Sequence, residues 1–300
     1  MNRQRSFINA LLLSLVLLFS SQLHADVTAS FITETGYGKG ILWKVSSANG
    51  KHSYLFGTIH VEDPRVTRLH NKVLDAIDNS RSMSLELIPD PQLQQKAMLA
   101  MLYTDGTTLQ KVVGHSLYQR SIKAMSDRGM PEQVVALMKP WAVMTMLSLP
   151  KPKTGEFLDK KLYKVATQRG IKTYALESFA EQISVFDGLS QQDQIKMLKQ
   201  TLDELSKIPA QFQALKEAWL DSDLALLESL SLQQLDSSTT SDSTFKENML
   251  DNRNRTMLER MQPRLIEGKA FIAVGALHLT GKAGLLNLLT QQGYTVKPVY

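Results

Sequence analysis

The sequence has no cysteine among its 300 residues, and this absence excludes several kinds of site at once. Disulfide bonds, zinc–thiolate centres, iron–sulfur clusters and cysteine nucleophiles all require a thiol that this chain cannot supply. Stability must therefore come from a hydrophobic core. A chain of this length can build one, because it buries about three quarters of its surface on folding.

A strong charge of either sign is also missing. The chain has 34 Lys and Arg against 29 Asp and Glu, and the basic residues are dispersed rather than collected in a run with interleaved aromatic residues. We therefore expect no nucleic-acid partner. A hydrophobic content of 43% with 21% charged residues is typical of a folded globular protein and argues against disorder.

Familiar catalytic signatures are absent as well. The sequence contains no His-Glu-x-x-His, no Gly-x-Ser-x-Gly and no Gly-x-x-x-x-Gly-Lys-Ser/Thr segment. These absences disfavour proteases of the gluzincin type, serine esterases and P-loop enzymes.

Long hydrophobic runs are confined to the N-terminus. Arg3 and Arg5 precede the apolar stretch Leu11–Phe19, which is too short for a stable membrane span, and Ala25 ends a plausible cleavage site. We expect residues 1–25 to be a signal peptide, with an uncleaved anchor as the alternative. Residues 26–300 then form an exported domain, periplasmic or secreted, without a membrane span.

Apolar segments and turn signals predict strands and helices that alternate at both ends of the chain, around a helical middle. Residues 40–46 and 53–59 flank Asn49-Gly50, a combination typical of a hairpin. Asp63-Pro64 predicts the start of a helix that extends to Ile77. Further strands are predicted at residues 81–87, 171–176, 271–274 and 294–300. Residues 236–244 form a polar, low-complexity loop.

Two matching segments are the most informative feature. Gly57 and His60, like Gly275 and His278, form a Gly-x-x-His turn that follows an apolar strand and leads into a helix. Glycine lets the backbone pass close to a neighbour, and the imidazole three residues later faces the cleft at the strand end. The sequence thus predicts an α/β fold in one domain: a mixed β-sheet core with strand–Gly-x-x-His–helix units at both ends and a helical insertion.

Two neutral imidazoles together with carboxylates suit a divalent transition metal such as Mn, Fe, Co, Ni or Zn. Glu86, at the end of an apolar strand, is either a further ligand or a general base acting on metal-bound water. Glu177 lies in a similar place, between a strand and a helix, and Glu62 follows closely behind His60. The alternative is that each histidine only caps its strand through a hydrogen bond.

The two turns resemble the signature of the TraB/GumN family, which is similar to the TIKI metalloproteases. Further segments agree with that family: residues 42–45, 84–86, 139–141, 158–159 with 162, 175–178 with 182, 253–254, 275–281 and 293–294. The resemblance implies a fold related to the erythromycin-esterase/ChaN-like group and a hydrolase site built from His60, Glu86 and His278. It also implies that Mn or Co supports peptide cleavage, and that Arg253 holds a substrate carbonyl or carboxylate.

The sequence therefore predicts an exported metal-dependent hydrolase, most simply a peptidase acting on a peptide or small amide. In this interpretation His60 and His278 bind the metal, with Mn or Co favoured over Zn or Fe. Glu86, Arg253 and Glu177 serve the chemistry or position the substrate. Two alternatives stay open: a periplasmic iron or haem carrier, and a module that binds a peptide without hydrolysing it.

Overall fold

The computed structural model describes residues 36–151, 153–236 and 243–300. Its centre is one six-stranded sheet with the strand order β4-β3-β5-β2-β1-β6. The strands are β1 (Leu42–Ser46), β2 (His52–Thr58), β3 (Ser82–Leu85), β4 (Lys172–Ala175), β5 (Ala270–Gly275) and β6 (Thr295–Pro298).

The sheet is mixed, as the sequence predicts. Strands β4, β3, β5 and β2 are parallel neighbours, whereas β1 runs antiparallel to both β2 and β6. The central strands β3 and β5 are buried at nearly every position, so both faces of the sheet centre are covered. These observations confirm the predicted α/β fold in a single domain.

Helices fill the connections between the strands, and most of them lie between β3 and β5, which is the predicted helical insertion. Before β4 the helices are Pro64–Thr67, Asn71–Asp78, Pro91–Ala100, Leu109–Ser126, Glu132–Val135, Pro140–Ser148 and Leu158–Gln168. After β4 they are Phe179–Asp187, Gln191–Asp203, Ile208–Leu220, Leu224–Asp236, Ser243–Lys246, Asn252–Glu267 and Leu285–Gln291, with a π-helical segment at Glu247–Asp251 and a 3₁₀ turn at Ala276–Leu279.

Local sequence signals fix several boundaries. The hairpin of β1 and β2 turns at Gly50, whose φ of +79° suits glycine. Asp63 caps the helix that follows, by accepting a hydrogen bond from the N–H of Arg65. Ser178 and Glu181 form a reciprocal capping box at the helix after β4. These three predictions are confirmed.

The predicted single helix from Asp63 to Ile77 is wrong, because the structure divides it in two. The first helix ends at Thr67, because Arg68 adopts an extended conformation, and His70 then caps the second helix by accepting a hydrogen bond from the N–H of Lys72. The His70 ring also stacks on Tyr300 with centroids 4.2 Å apart. Local capping and this stacking contact prevail over the helical spacing of the apolar residues.

Two further predictions concern residues outside the described ranges. The predicted signal peptide lies there entirely, and so does most of the predicted polar loop, at residues 237–242. Among the helices that the structure does describe, none has both the length and the apolar character that crossing a membrane requires.

Gly57 packs against the second Gly-x-x-His turn. A Cβ atom at this position would lie 2.8 Å from Cδ1 of Leu279 and 3.1 Å from Cα of Ala276. The carbonyl oxygen of Gly57 meanwhile accepts a 2.9 Å hydrogen bond from Nε1 of Trp219. The end of β2 is therefore held in place on two sides, and glycine is the residue that this packing requires.

We expect Gly57→Ala to lower the free energy of unfolding by about 1–3 kcal/mol, because the added methyl group overpacks the contact with the 3₁₀ turn. Urea denaturation followed by circular dichroism measures this change. Gly275→Ala is the matched control, since its Cβ would meet no atom closer than 3.3 Å, and its cost should be smaller. Parent-like stability of Gly57→Ala would contradict the packing argument.

Candidate functional site

The polar residues that the sequence singles out collect at one edge of the sheet. Glu177, Glu86 and His60 follow β4, β3 and β2, while His278 lies in the 3₁₀ turn after β5. Because these four strands are parallel neighbours, their carboxyl ends meet at the same edge. This is the edge at which α/β sheets usually build their sites.

A buried ion-pair network connects two of these strand ends. The Arg253 guanidinium donates from Nε to Glu177 Oε1 at 2.7 Å and from Nη2 to Glu177 Oε2 at 2.6 Å. The same Nη2 lies 3.2 Å from Glu86 Oε2. Gln182 Nε2 donates to both carboxylates, at 3.0 Å to Glu177 and at 3.2 Å to Glu86. One arginine and one amide thus hold two carboxylates that are both buried.

Glu177 and Arg253 are occupied by this network. Both carboxylate oxygens of Glu177 accept a hydrogen bond, and its side chain is only 1% exposed. Arg253 is also buried, and its Nη1 donates to the carbonyl oxygen of Met249. Their observed contacts position Glu86, whereas the direct substrate contact that the sequence analysis assigns to them stays a prediction.

Glu86 is the member of the network that faces the second Gly-x-x-His turn. Its Oε1 accepts a 2.6 Å hydrogen bond from the N–H of Gly275, the glycine of the second motif. Burial raises the pKa of Glu86 to about 7, the charge of Arg253 opposes that rise, and the charge of Glu177 adds to it. A carboxyl group with a pKa near neutrality can hold or release a proton at physiological pH.

His278 is fully buried and neutral, because burial and the charge of Arg253 hold its pKa well below the usual value. Its Nδ1 lies 2.6 Å from Asn254 Oδ1, and Asn254 Nδ2 donates to the carbonyl oxygen of Ala283. This arrangement assigns the ring proton to Nδ1. The lone pair is then on Nε2, which has no hydrogen-bond partner among the described residues.

Two electron-pair donors consequently face each other in the buried interior. His278 Nε2 lies 3.8 Å from Glu86 Oε1, too far for a hydrogen bond. Glu86 Oε1 already accepts from the N–H of Gly275, whereas His278 Nε2 has no partner among the described residues. An unpartnered buried nitrogen is costly unless a proton, a water molecule or a cation reaches it. This pair is the strongest single indication of a ligand-binding role at the sheet edge.

His60 forms a second pair, at the end of the neighbouring strand. Its ring stacks on Phe157 with centroids 3.9 Å apart, and Nδ1 lies 3.5 Å from Asp159 Oδ2. The other oxygen of Asp159 accepts a 2.8 Å hydrogen bond from Thr58. Both ring nitrogens of His60, like Asp159 Oδ2, have no hydrogen-bond partner within the described residues.

The imidazole and carboxylate groups of the site are of the kinds that bind a divalent metal, but they do not surround one point. No set of three or more His, Asp or Glu side chains in the described ranges is arranged to hold a metal ion. The structure instead provides two histidine–carboxylate pairs at the ends of adjacent strands, β2 and β5, whose residues Thr58 and Gly275 are paired in register. Imidazole and carboxylate side chains fit a transition metal, and His278 Nε2, both nitrogens of His60 and Asp159 Oδ2 have no hydrogen-bond partner in the described ranges.

Glu62, the other acidic candidate beside His60, has a structural contact instead. Its carboxylate accepts hydrogen bonds from the backbone N–H groups of Lys153, Thr154 and Gly155, at 2.6–2.8 Å. Its observed role is therefore to hold the loop that leads to Phe157.

Four residues of the site receive no role from the sequence analysis: Phe157, Asp159, Gln182 and Asn254. The family resemblance includes three of these positions, but only the structure shows what they contact. Phe157 belongs to no motif. Its ring stacks on a histidine 97 positions away, and such a distant contact leaves no local pattern in the sequence.

Fold and site together define an α/β protein with a buried histidine–carboxylate centre at the carboxyl edge of a mixed sheet. The chain belongs to the TraB/PrgY/gumN family, whose sequence profile matches residues 41–298. This match confirms the resemblance that the two Gly-x-x-His turns carry.

Two curated proteins are similar to most of the chain. "Metalloprotease TIKI2" from Danio rerio is 24% identical over 82% of this chain, and the alignment spans 58% of that protein's length. An "Uncharacterized protein" from Treponema pallidum is 21% identical over 84% of this chain and 80% of its own length. No solved structure matches the chain.

We expect Arg253→Met to lower the free energy of unfolding by about 3 kcal/mol or more, because it leaves two buried carboxylates without their cation. Chemical denaturation at neutral pH measures the loss. Arg260→Met is the matched control on the same helix, since Arg260 pairs with the half-exposed Glu181. The control should cost no more than about 1 kcal/mol.

Adding Glu177→Gln to Arg253→Met should recover part of the lost stability, since one stranded charge is removed. Equal costs for the Arg253 and Arg260 replacements would contradict the assigned burial of the network.

Proposed function

We propose that this protein is an exported metal-dependent hydrolase that cleaves peptide or small amide bonds. The observation that carries the proposal is that His278 Nε2, with its free lone pair, faces Glu86 Oε1 across 3.8 Å in a buried site. Membership of the TraB/PrgY/gumN family and the similarity to a metalloprotease support the reaction class.

His60 and His278 would hold the metal, together with Glu86 or the Asp159 carboxylate. Mn or Co is the metal we favour, with Zn or Fe as alternatives. When bound, such an ion supplies Lewis acidity and lowers the pKa of the water that it holds. The assignment rests on the donor chemistry and on the unsatisfied nitrogens of both histidines.

The chain's own residues prepare this centre in three ways. Asn254 keeps His278 in the tautomer that offers Nε2 as a ligand. Arg253 and Gln182 fix Glu86 Oε2, which aims Oε1 at the histidine. Glu86 then takes up or releases a proton at Oε1, the function of a general base in hydrolysis.

Export is a separate part of the proposal and rests on the sequence of residues 1–25 alone. If the signal peptide is removed after Ala25, the mature chain begins at Asp26. Intact-mass measurement of the protein recovered from the periplasm or the medium tests this prediction. Recovery of only the full-length chain, in the membrane fraction, would favour the uncleaved anchor.

Metal content gives the decisive test. Protein purified without chelator should carry near-stoichiometric metal by plasma mass spectrometry after supply of Mn or Co. His60→Ala and His278→Ala should each weaken metal binding at least about tenfold, with folding preserved. His115→Ala, on an exposed helix position, is the control and should bind like the parent.

Glu86→Gln should lower turnover of a quenched-fluorescent peptide at least about 100-fold, because the replacement removes the proposed general base. Full activity in this variant or in either histidine variant would refute the assignment. Stoichiometric metal with strong visible absorbance and no turnover on any peptide would favour the carrier alternative.

A further inference from the structure

A groove of about 860 Å³ opens beside the candidate site, with His60 in its wall. This volume falls in the range of ligand-binding pockets. The groove lies between the His60 turn and the helical insertion, and much of its lining is apolar: Leu147, Leu149, Phe157, Leu205, Ile208 and Phe212. Such a lining offers contact area to a bulky hydrophobic group.

Arg128 lies in the same wall without a counter-charge. Its Nη2 donates a 2.7 Å hydrogen bond to the carbonyl oxygen of Leu147, and no carboxylate in the described ranges pairs with it. The side chain is partly buried, and burial lowers its pKa to about 10. Removing a guanidinium from water without an anionic partner is unfavourable, so the fold itself does not account for its position.

The carboxylates in the groove wall do not supply the missing charge. Glu62 is held by three backbone N–H groups, and Asp63 accepts from Arg65 and pairs with Lys216. Asp127 is exposed and forms no ion pair with Arg128, its neighbour in sequence. Lys151 and Lys153 add exposed positive charge to the same wall, and Arg128 is its partly buried cation without an anionic partner in the described ranges.

We propose that the groove binds the C-terminal residue of a peptide, with the free carboxylate on Arg128 and a large apolar side chain against the groove walls. Guanidinium and carboxylate match in geometry, because the fork of N–H donors can bind both oxygens. The apolar lining favours a large hydrophobic side chain on the residue that carries this carboxylate.

This inference deepens the proposed function and rests on it. A peptide held at Arg128 occupies the groove whose wall includes His60, so the bound chain lies against the candidate centre. The substrate class is then a peptide with a hydrophobic C-terminal residue. The two claims remain separable, because binding in the groove can be measured without turnover.

The test uses the purified protein after metal removal with EDTA, and N-terminally fluorescein-labelled peptides measured by fluorescence anisotropy. Three probes suffice: Ala-Ala-Ala-Leu with a free carboxylate, the same peptide as its C-terminal amide, and Ala-Ala-Ala-Gly with a free carboxylate. The Leu acid should bind about tenfold or more tightly than the amide. It should also bind about tenfold more tightly than the Gly acid.

Arg128→Gln should abolish the preference for the acid over the amide and leave the preference for Leu over Gly. Arg120→Gln is the charge-matched control, because Arg120 lies in the same helical region but pairs with Asp203 at the surface. It should retain both preferences. Circular dichroism and thermal unfolding establish that the variants are folded, and the comparison of acid with amide on the parent stands even if one variant is not.

Equal binding of acid and amide by the parent would overturn the inference, as would an acid preference that survives Arg128→Gln or disappears in Arg120→Gln. Metal-dependent cleavage without any acid preference would leave the hydrolase standing and remove the groove assignment. If the parent prefers the acid, if this preference depends on Arg128, and if no peptide is cleaved with Mn, Co, Zn or Fe, the groove assignment would stand and the hydrolase proposal would fall.

Discussion

The guanidinium of Arg253 lies between two buried carboxylates, and the arrangement of the candidate site depends on the charge balance that it sets. Glu86 and Glu177 follow adjacent parallel strands, where their repulsion and desolvation would otherwise favour protonation or separation of the strand ends. A single arginine cannot fully neutralise both. The imbalance falls on Glu86, whose raised pKa favours a proton on the carboxyl group that faces His278, and a cation bound there would take the place of that proton.

Close backbone approach is the second constraint, and it explains why each motif begins with glycine. At Gly57 a side chain would collide with the turn that carries His278, whereas at Gly275 a Cβ atom would lie 3.3 Å from Glu86 Oε1, the oxygen that the Gly275 N–H binds. The glycines therefore serve the site indirectly: one lets β2 and the 3₁₀ turn pack together, and the other lets Glu86 be held by the motif of a different strand.

Much of this fold follows from local sequence, whereas the partners within the site do not. Alternating apolar runs, Asn49-Gly50, and the caps at Asp63 and Ser178 are local signals, and the structure has the strands and helices that they predict. The break at His70 is not visible in the helical spacing, because its ring stacks on Tyr300, far away along the chain.

The same limit applies to the site residues. His60, Glu86 and His278 can be selected from the sequence because each follows an apolar strand, and sheet order then brings these strand ends to one edge. That Glu177 is occupied by Arg253, and that Asn254 sets the His278 tautomer, depends on where a distant helix packs. No spacing encodes such contacts.

The two histidines also differ in what holds their rings, and this difference sets how firmly each donor is oriented. His278 is completely buried among groups that fix its proton and its orientation, so it is a rigid donor. His60 lies in the groove wall, stacked on Phe157, but its side chain is only 4% exposed and both of its ring nitrogens are buried. Both histidines would therefore offer a lone pair inside the protein, His278 Nε2 from a fixed orientation and His60 from a ring that is held by stacking.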